Sequence, residues 1–225
     1  MLTFTCEGKP PKTIEATFTS LIVAGWTGRD TAALEHHIGE LAALGVPRPS
    51  TVPVFYRTSV NGLTQTDRLE VLGPDTSGEV EPVLFGLDDG LWLGRGSDHT
   101  DRKAETMGIA LSKQLCGKVV GTALWPLSDV AAHWDRLVIR SYATIDGKRS
   151  LYQEGALASM RTPQDLLSRY NGGERLKPGA VMFCGTVGAI GGIRPASRFE
   201  MELEDPVLNL KMTHGYDVAL LPVVQ

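Results

Sequence analysis

Cysteine is scarce in this 225-residue chain. Cys6, Cys116 and Cys184 stand far apart and are odd in number, which argues against a disulfide framework and suits a reducing compartment. An excess of one charge is also missing. Lys+Arg 22 against Asp+Glu 26 leave a formal net charge of −4 and no long basic run, so nucleic acid is not an expected partner. No apolar stretch reaches the ~18 residues of a membrane span, and the opening MLTFTCEGKPPKTIEATF has no apolar leader core. The chain reads as soluble and cytoplasmic, with no membrane partner. A G-x-S-x-G nucleophile elbow is absent too.

What the chain does have is Gly 25 and Pro 13, with 42% hydrophobic residues. That loading lacks a collagen period or low-complexity tract, so it predicts many turns between short strands and disfavours a helix bundle. Neither a repeat nor a linker is visible, and residues 1–225 read as a single β-dominated α+β domain with two or three peripheral helices.

The spacing predicts strands at LTFTC and ATFTSLIVA, and a helix over 30–44. Asp30 or Thr31 would cap that helix, Leu34, Ile38 and Leu41 would form its apolar stripe, and Gly45 with Pro47 would end it. Strands and turns follow from 51 to 98, then a helix over 101–115. A strand at 136–145 turns at Asp146-Gly147, and a helix over 163–170 starts at Pro163.

Three groups of residues can carry chemistry. Glu79 and Glu81 are two apart on an extended segment, so their carboxylates share a face. Like charges side by side repel, and a pair aimed inward needs a cation; an ordinary solvated strand face is the alternative. Asp98, in the Gly-rich stretch after the next strand, would complete a set of three hard oxygen ligands, which suits Mg²⁺, Mn²⁺ or Ca²⁺ better than Zn²⁺. Asp98 can equally cap the following helix. His99 beside it can add a ligand or a hydrogen bond.

His37 and Glu40 are three apart on the first helix and can touch, as a general base acting on water requires; a surface pair is the bland reading. GTVGAIGG at 185–192, after an apolar strand, can present backbone N–H groups to a carboxylate or oxyanion, or be a plain turn. Lys113 can serve a substrate carboxylate or snorkel to the surface. His133 and His214 read as structural.

In order along the chain, these pieces resemble the fumarylacetoacetate hydrolase superfamily. LIVAGWTGRD with HHIGE is similar to that family's V-x-x-x-G-R-N-Y-x-x-H-x-x-E entry, after a short insertion, and VPVFYR to P-x-x-F-x-K. GEVEPVLF resembles its Glu-x-Glu strand and SDHTDRKAE its N-D-x-S/T-A-R-D-x-Q. SKQLC resembles its Lys segment, DGKRSLYQEG its N-G-x-x-x-Q-x-G hairpin, and LKPGAVMFCGTVGAIGG its L-x-P-G-D-x-I-x-x-G-T-P-x-G-V-G. The resemblance implies a mixed β-sandwich or roll of the C-terminal catalytic-domain type, usually a homodimer.

It implies a divalent metal, Mg²⁺ or else Mn²⁺ or Ca²⁺, on Glu79, Glu81 and Asp98. Substrate contacts would come from Arg29, Arg102, Gly185 and Thr186, and catalytic roles would fall to His37, Glu40 and Lys113. The implied substrate is a small carboxylic or 2-oxo acid, and the implied reaction is hydrolysis of a C–C bond in an acylpyruvate-like 2,4-dioxo acid. Alternatives on the same site are decarboxylation, isomerisation, dehydration or non-catalytic binding of 2-oxo acids. The family's Asn-Tyr is absent, Lys103, Glu105 and Val187 replace its Asp, Gln and Pro, and the Glu81–Asp98 spacing is short. These departures mark a divergent subgroup.

Overall fold

In the computed structural model, residues 1–8, 10–43 and 48–224 are described, residues 37 and 40–43 by backbone alone. The expected Gly45–Pro47 helix end lies outside the described residues.

Apolar alternation on both faces of the central strands builds the core. A ten-stranded mixed sheet runs in the order Lys12–Ala16, Leu2–Cys6, Ala123–Pro126, Gly90–Ser97, Val80–Leu87, Ala180–Phe183, Ser20–Gly25, Val54–Thr58, with Lys118–Val120 and Leu63–Thr64 attached at its side. Ile22, Leu84, Leu93 and Met182 turn one face toward a five-stranded sheet, meeting Ile139, Phe199, Met201 and Tyr216. Leu21, Val83, Phe85, Val181 and Phe183 turn the other face onto Phe4, Phe18 and Trp92. A sheet buried on both faces carries near-continuous apolar strands, and PVLFG and AVMF are of that kind.

The five-stranded sheet runs Lys148–Ala156, Val138–Ile145, Arg198–Asp205, Leu210–Leu221, Arg68–Leu72. Its first hairpin turns at Asp146 and Gly147, both at positive φ (50° and 75°), the primed turn that an Asp-Gly pair favours. The architecture is the expected β-dominated α+β, with curled mixed sheets and few helices.

The helix Thr31–Ala43 is capped by Asp30, whose carboxylate accepts from the amides of Ala32 and Ala33. Pro163–Asn171 is capped by Thr162 and stops at left-handed Gly172. Two expectations fail in detail. ATFTSLIVA is two strands, because the chain leaves one sheet edge at Ala16 and re-enters beside Ala180–Phe183. The helix over 101–115 is broken into Arg102–Glu105 and Ile109–Gln114, since the chain is extended at Gly108. No described helix is long and apolar enough to cross a membrane.

Candidate active site

One hairpin assembles the acids. Val80–Leu87 and Gly90–Ser97 pair antiparallel with Val80 opposite Ser97 and Glu81 opposite Gly96. The Asp98 amide donates to the Glu79 carbonyl at 3.0 Å and extends that ladder. Asp98 therefore stands across from Glu79, and ligand oxygens of Glu79, Glu81 and Asp98 come within 4.8 Å of one another. Gly96 is required in the hairpin because a Cβ there would lie 2.7 Å from the Phe183 ring.

Each carboxylate is compensated differently. Lys113 and Lys118 (2.9 Å) bind the two oxygens of fully buried Asp98. Burial alone would raise the Asp98 pKa, but the two ammonium groups hold it well below the usual carboxylate range. Glu79 meets Arg102 at 3.2 Å, and Arg102 also binds Glu105 (3.1 Å) and donates from Nε to Ser77 Oγ (2.7 Å). Buried Glu81 has no ion pair among the described residues; it accepts from the Gly185 amide at 2.7 Å. Burial, then the neighbouring Asp98 charge, push its pKa well above the ordinary value.

That donor set fits a divalent cation. All three residues offer hard oxygen atoms, and Glu81 is a buried carboxyl whose charge lacks a partner of its own. The expected metal residues are thus brought together.

His99 is not available as a ligand. Nδ1 is hydrogen-bonded to Tyr216 Oη (2.8 Å), whose hydroxyl donates to Ser97, and Nε2 to Thr76 Oγ1 (2.9 Å). Burial, followed by the nearby Lys118 and Arg102 charges, pushes its pKa down to about 3, so the ring is neutral.

A cavity of about 660 Å³ opens over the triad, lined by Glu79, Glu81, Arg102, Lys113, Gly185 and Thr186 among others. Burial by itself would lower the Lys113 pKa, but Asp98, Glu79 and Glu81 together raise it, so Lys113 stays an ammonium. Gly185 has φ +97°, and a Cβ there would fall 1.7 Å from the Thr27 hydroxyl, so this strand end accepts only glycine. The Thr186 hydroxyl donates to the Val80 carbonyl (2.6 Å) and accepts from Gln153 (2.8 Å). The amides of Thr186, Val187 and Gly188, on the cavity wall, donate to no acceptor among the described residues.

Arg29 stands apart from the cavity lining. It forms a two-point ion pair with Asp135 (2.9 and 2.7 Å) and donates from Nε to the Met160 carbonyl. The His37 and Glu40 side chains lie outside the described residues; their backbone is on the Thr31–Ala43 helix, and Leu34 of that helix lines the cavity. His133 and His214 are structural, on Asp205 and the Thr66 carbonyl.

The residue reading passed over Gln153 and Lys118. Gln153 accepts from the Val80 amide (3.0 Å) and the Ser141 hydroxyl, and donates to Thr186 and the Val187 carbonyl, so it ties the Glu79–Glu81 segment to the 185–188 loop. A Gln facing inward from the middle of a hairpin strand was the available signal. Lys118 opens a short apolar strand, and nothing local marks it as buried.

Curled mixed sheets, few helices and a strand-end cavity over an acidic triad match the fold of the fumarylacetoacetate hydrolase C-terminal domain. Residues 24–216 match the family DUF2848, described as a protein of unknown function, and the chain belongs to that family. In structure the chain is similar to Cg1458 (16% identity, 95% of this chain and 81% of that one, TM-score 0.64). It is also similar to 2-keto-3-deoxyarabinonate dehydratase (14% identity, 91% and 75%, TM-score 0.64). A third similar structure is 2-keto-3-deoxy-D-arabinonate dehydratase complexed with magnesium and 2,5-dioxopentanoate (14% identity, 91% and 74%, TM-score 0.62). At these identities the likeness is one of fold. No curated protein matches the sequence.

Proposed function

We propose that this chain is a divalent-metal-dependent enzyme of small 2-oxo acids that hydrolyses a C–C bond in an acylpyruvate-like 2,4-dioxo acid. Buried Glu81, between Glu79 and Asp98 on the cavity floor with one backbone donor, carries the reading. A divalent cation on these three residues, Mg²⁺ foremost, would act as a Lewis acid on a chelating 1,2-dicarbonyl. The magnesium and dioxo acid in one structural neighbour support that choice.

The chain's own residues supply the rest. The free amides of residues 186–188 offer donors to the substrate carboxylate. The Lys113 ammonium lines the same cavity and would serve as a donor and proton source. Arg102 is held by Glu79 and Glu105, so it orders the ligands and reaches the substrate only if Glu105 lets go. His37, oriented by Glu40, would take a proton from water. The C3–C4 bond then breaks, with water's hydroxyl going to the acyl carbon and a proton to C3. As part of this proposal the enzyme is a cytoplasmic homodimer with one catalytic domain.

The test is turnover of acylpyruvates with Mg²⁺ or Mn²⁺. Hydrolysis should stop on chelation of the metal and in Glu81→Ala; no turnover, or turnover indifferent to Glu81→Ala, overturns the reading. His37→Ala should cost about 10²-fold or more in rate. A second reading, dehydration or decarboxylation, draws on the Lys113 ammonium as an acid beside the triad. It predicts that His37→Ala keeps most of the rate.

A further inference from the structure

Resting on that 2-oxo acid site, we propose that Glu105 sets the charge of the accepted acid, limiting it to one carboxylate and an uncharged, apolar tail. Among the described side chains at the site, four carboxylates (Glu79, Glu81, Asp98, Glu105) meet three cations (Arg102, Lys113, Lys118), which leaves one negative charge. His99 is absent from the cavity lining and points its ring nitrogens at Tyr216 and Thr76. A divalent cation brings the sum to one positive charge, and one substrate carboxylate brings it to zero. A second carboxylate would leave an uncompensated charge in a half-buried cavity, which is costly.

The far wall agrees. Among the described residues lining the cavity the only cations are Arg102 and Lys113, both already bound to carboxylates. Away from the triad the lining includes Leu34, Ile109, Val187, Ala189 and Ile193. These side chains reward hydrocarbon, and no cation without a carboxylate partner is at hand for a distal anion. Glu105 is the adjustable charge in this balance: glutamine would keep an acceptor for Arg102 while removing one negative charge.

Calorimetry on the Mg²⁺-loaded protein tests this with 2-oxopentanoate, 2-oxohexanoate and 2-oxoglutarate. The extra methylene of 2-oxohexanoate should tighten binding up to about fourfold. The dianion should bind at least about tenfold more weakly than 2-oxohexanoate, and Glu105→Gln should narrow that ratio about tenfold. Ile193→Lys, at a cavity-lining position 52% exposed and so safe for folding, should narrow it as well. A dianion that binds as tightly as the monoanion, or a ratio unmoved by Glu105→Gln, overturns the inference. If Mg²⁺ binds and no 2-oxo acid does, the functional reading falls, and this inference with it.

Discussion

Two carboxylate clusters in this molecule share the same chemistry and differ in burial. At the cavity, Glu79, Glu81 and Asp98 meet Arg102, Lys113 and Lys118, and the side chains of Asp98 and Lys118 are 0% and 1% exposed. On the outer face of the five-stranded sheet, Arg140 bridges Glu154 (2.6 Å), Glu202 (2.9 Å) and Glu204, and Lys211 joins Glu202 at 3.1 Å. There Glu154 and Lys211 are 46% and 49% exposed. Water reaches Glu154 and Lys211 and screens that end of the network, while buried Glu202 is covered by Arg140 and Lys211. At the cavity the same charges need specific partners. Glu81, with none of its own, is where a cation is called for.

Removing a partner should separate the two regions most. Asp98→Asn leaves the buried Lys113 and Lys118 ammonium groups without a full counter-charge, and urea unfolding should show a loss of about 3–5 kcal/mol. Glu81→Gln is the control within the same site. It relieves a buried carboxyl whose pKa is already raised and keeps the acceptor for Gly185, so metal-free stability at neutral pH should hold or rise, while the stabilisation by Mg²⁺ disappears. A large loss in Glu81→Gln would remove the contrast.

Asp205 gives an intermediate case. Fully buried in the second sheet, it accepts from the Val207 and Leu208 amides and from His133. Burial alone would raise its pKa, but these hydrogen bonds, the one from His133 foremost, hold it below the ordinary 3.8. A depressed carboxylate pKa contributes stability above about pH 4 that fades as pH falls through the folded value. His133→Ala should cost about 1 kcal/mol at neutral pH, and a denaturation series across that range should show a flatter acid loss. Smallest of all, Glu154→Ala, at the exposed end of the Arg140 network, should cost ~1 kcal/mol or less, and added salt should shrink it further. A loss as large as that of Asp98→Asn would break the distinction between screened and buried clusters.

Much of the site is legible along the chain because one tight hairpin builds it. The strands on either side of Asp88-Asp89 pair so that Glu79 falls opposite Asp98, and a two-residue turn fixes that register in advance. The Gly185–Thr186 strand end and the three helix starts are local signals of the same kind. Other features were hidden because their partners are distant in sequence. Arg29, a substrate contact by the resemblance, pairs with Asp135 across 106 residues of sequence, a partner no local pattern announces. Lys118 and Gln153 are ordinary residues on ordinary strands; pairing of Lys118–Val120 with Gly90–Ser97 brings the first to Asp98, and packing of the two sheets brings the second to Thr186. The break at Gly108 likewise divides one expected helix into two.

The sequence by itself determined the strand-rich class, the turn positions and the identity of the three acids, because side-chain alternation, glycine placement and hairpin register act over a few residues. The tertiary structure decided which charges are neutralised. Whether a carboxylate can stand alone, must take an ammonium or calls for a metal depends on how much water is left around it and on which chain segment packs beside it. Both are properties of the assembled sheets.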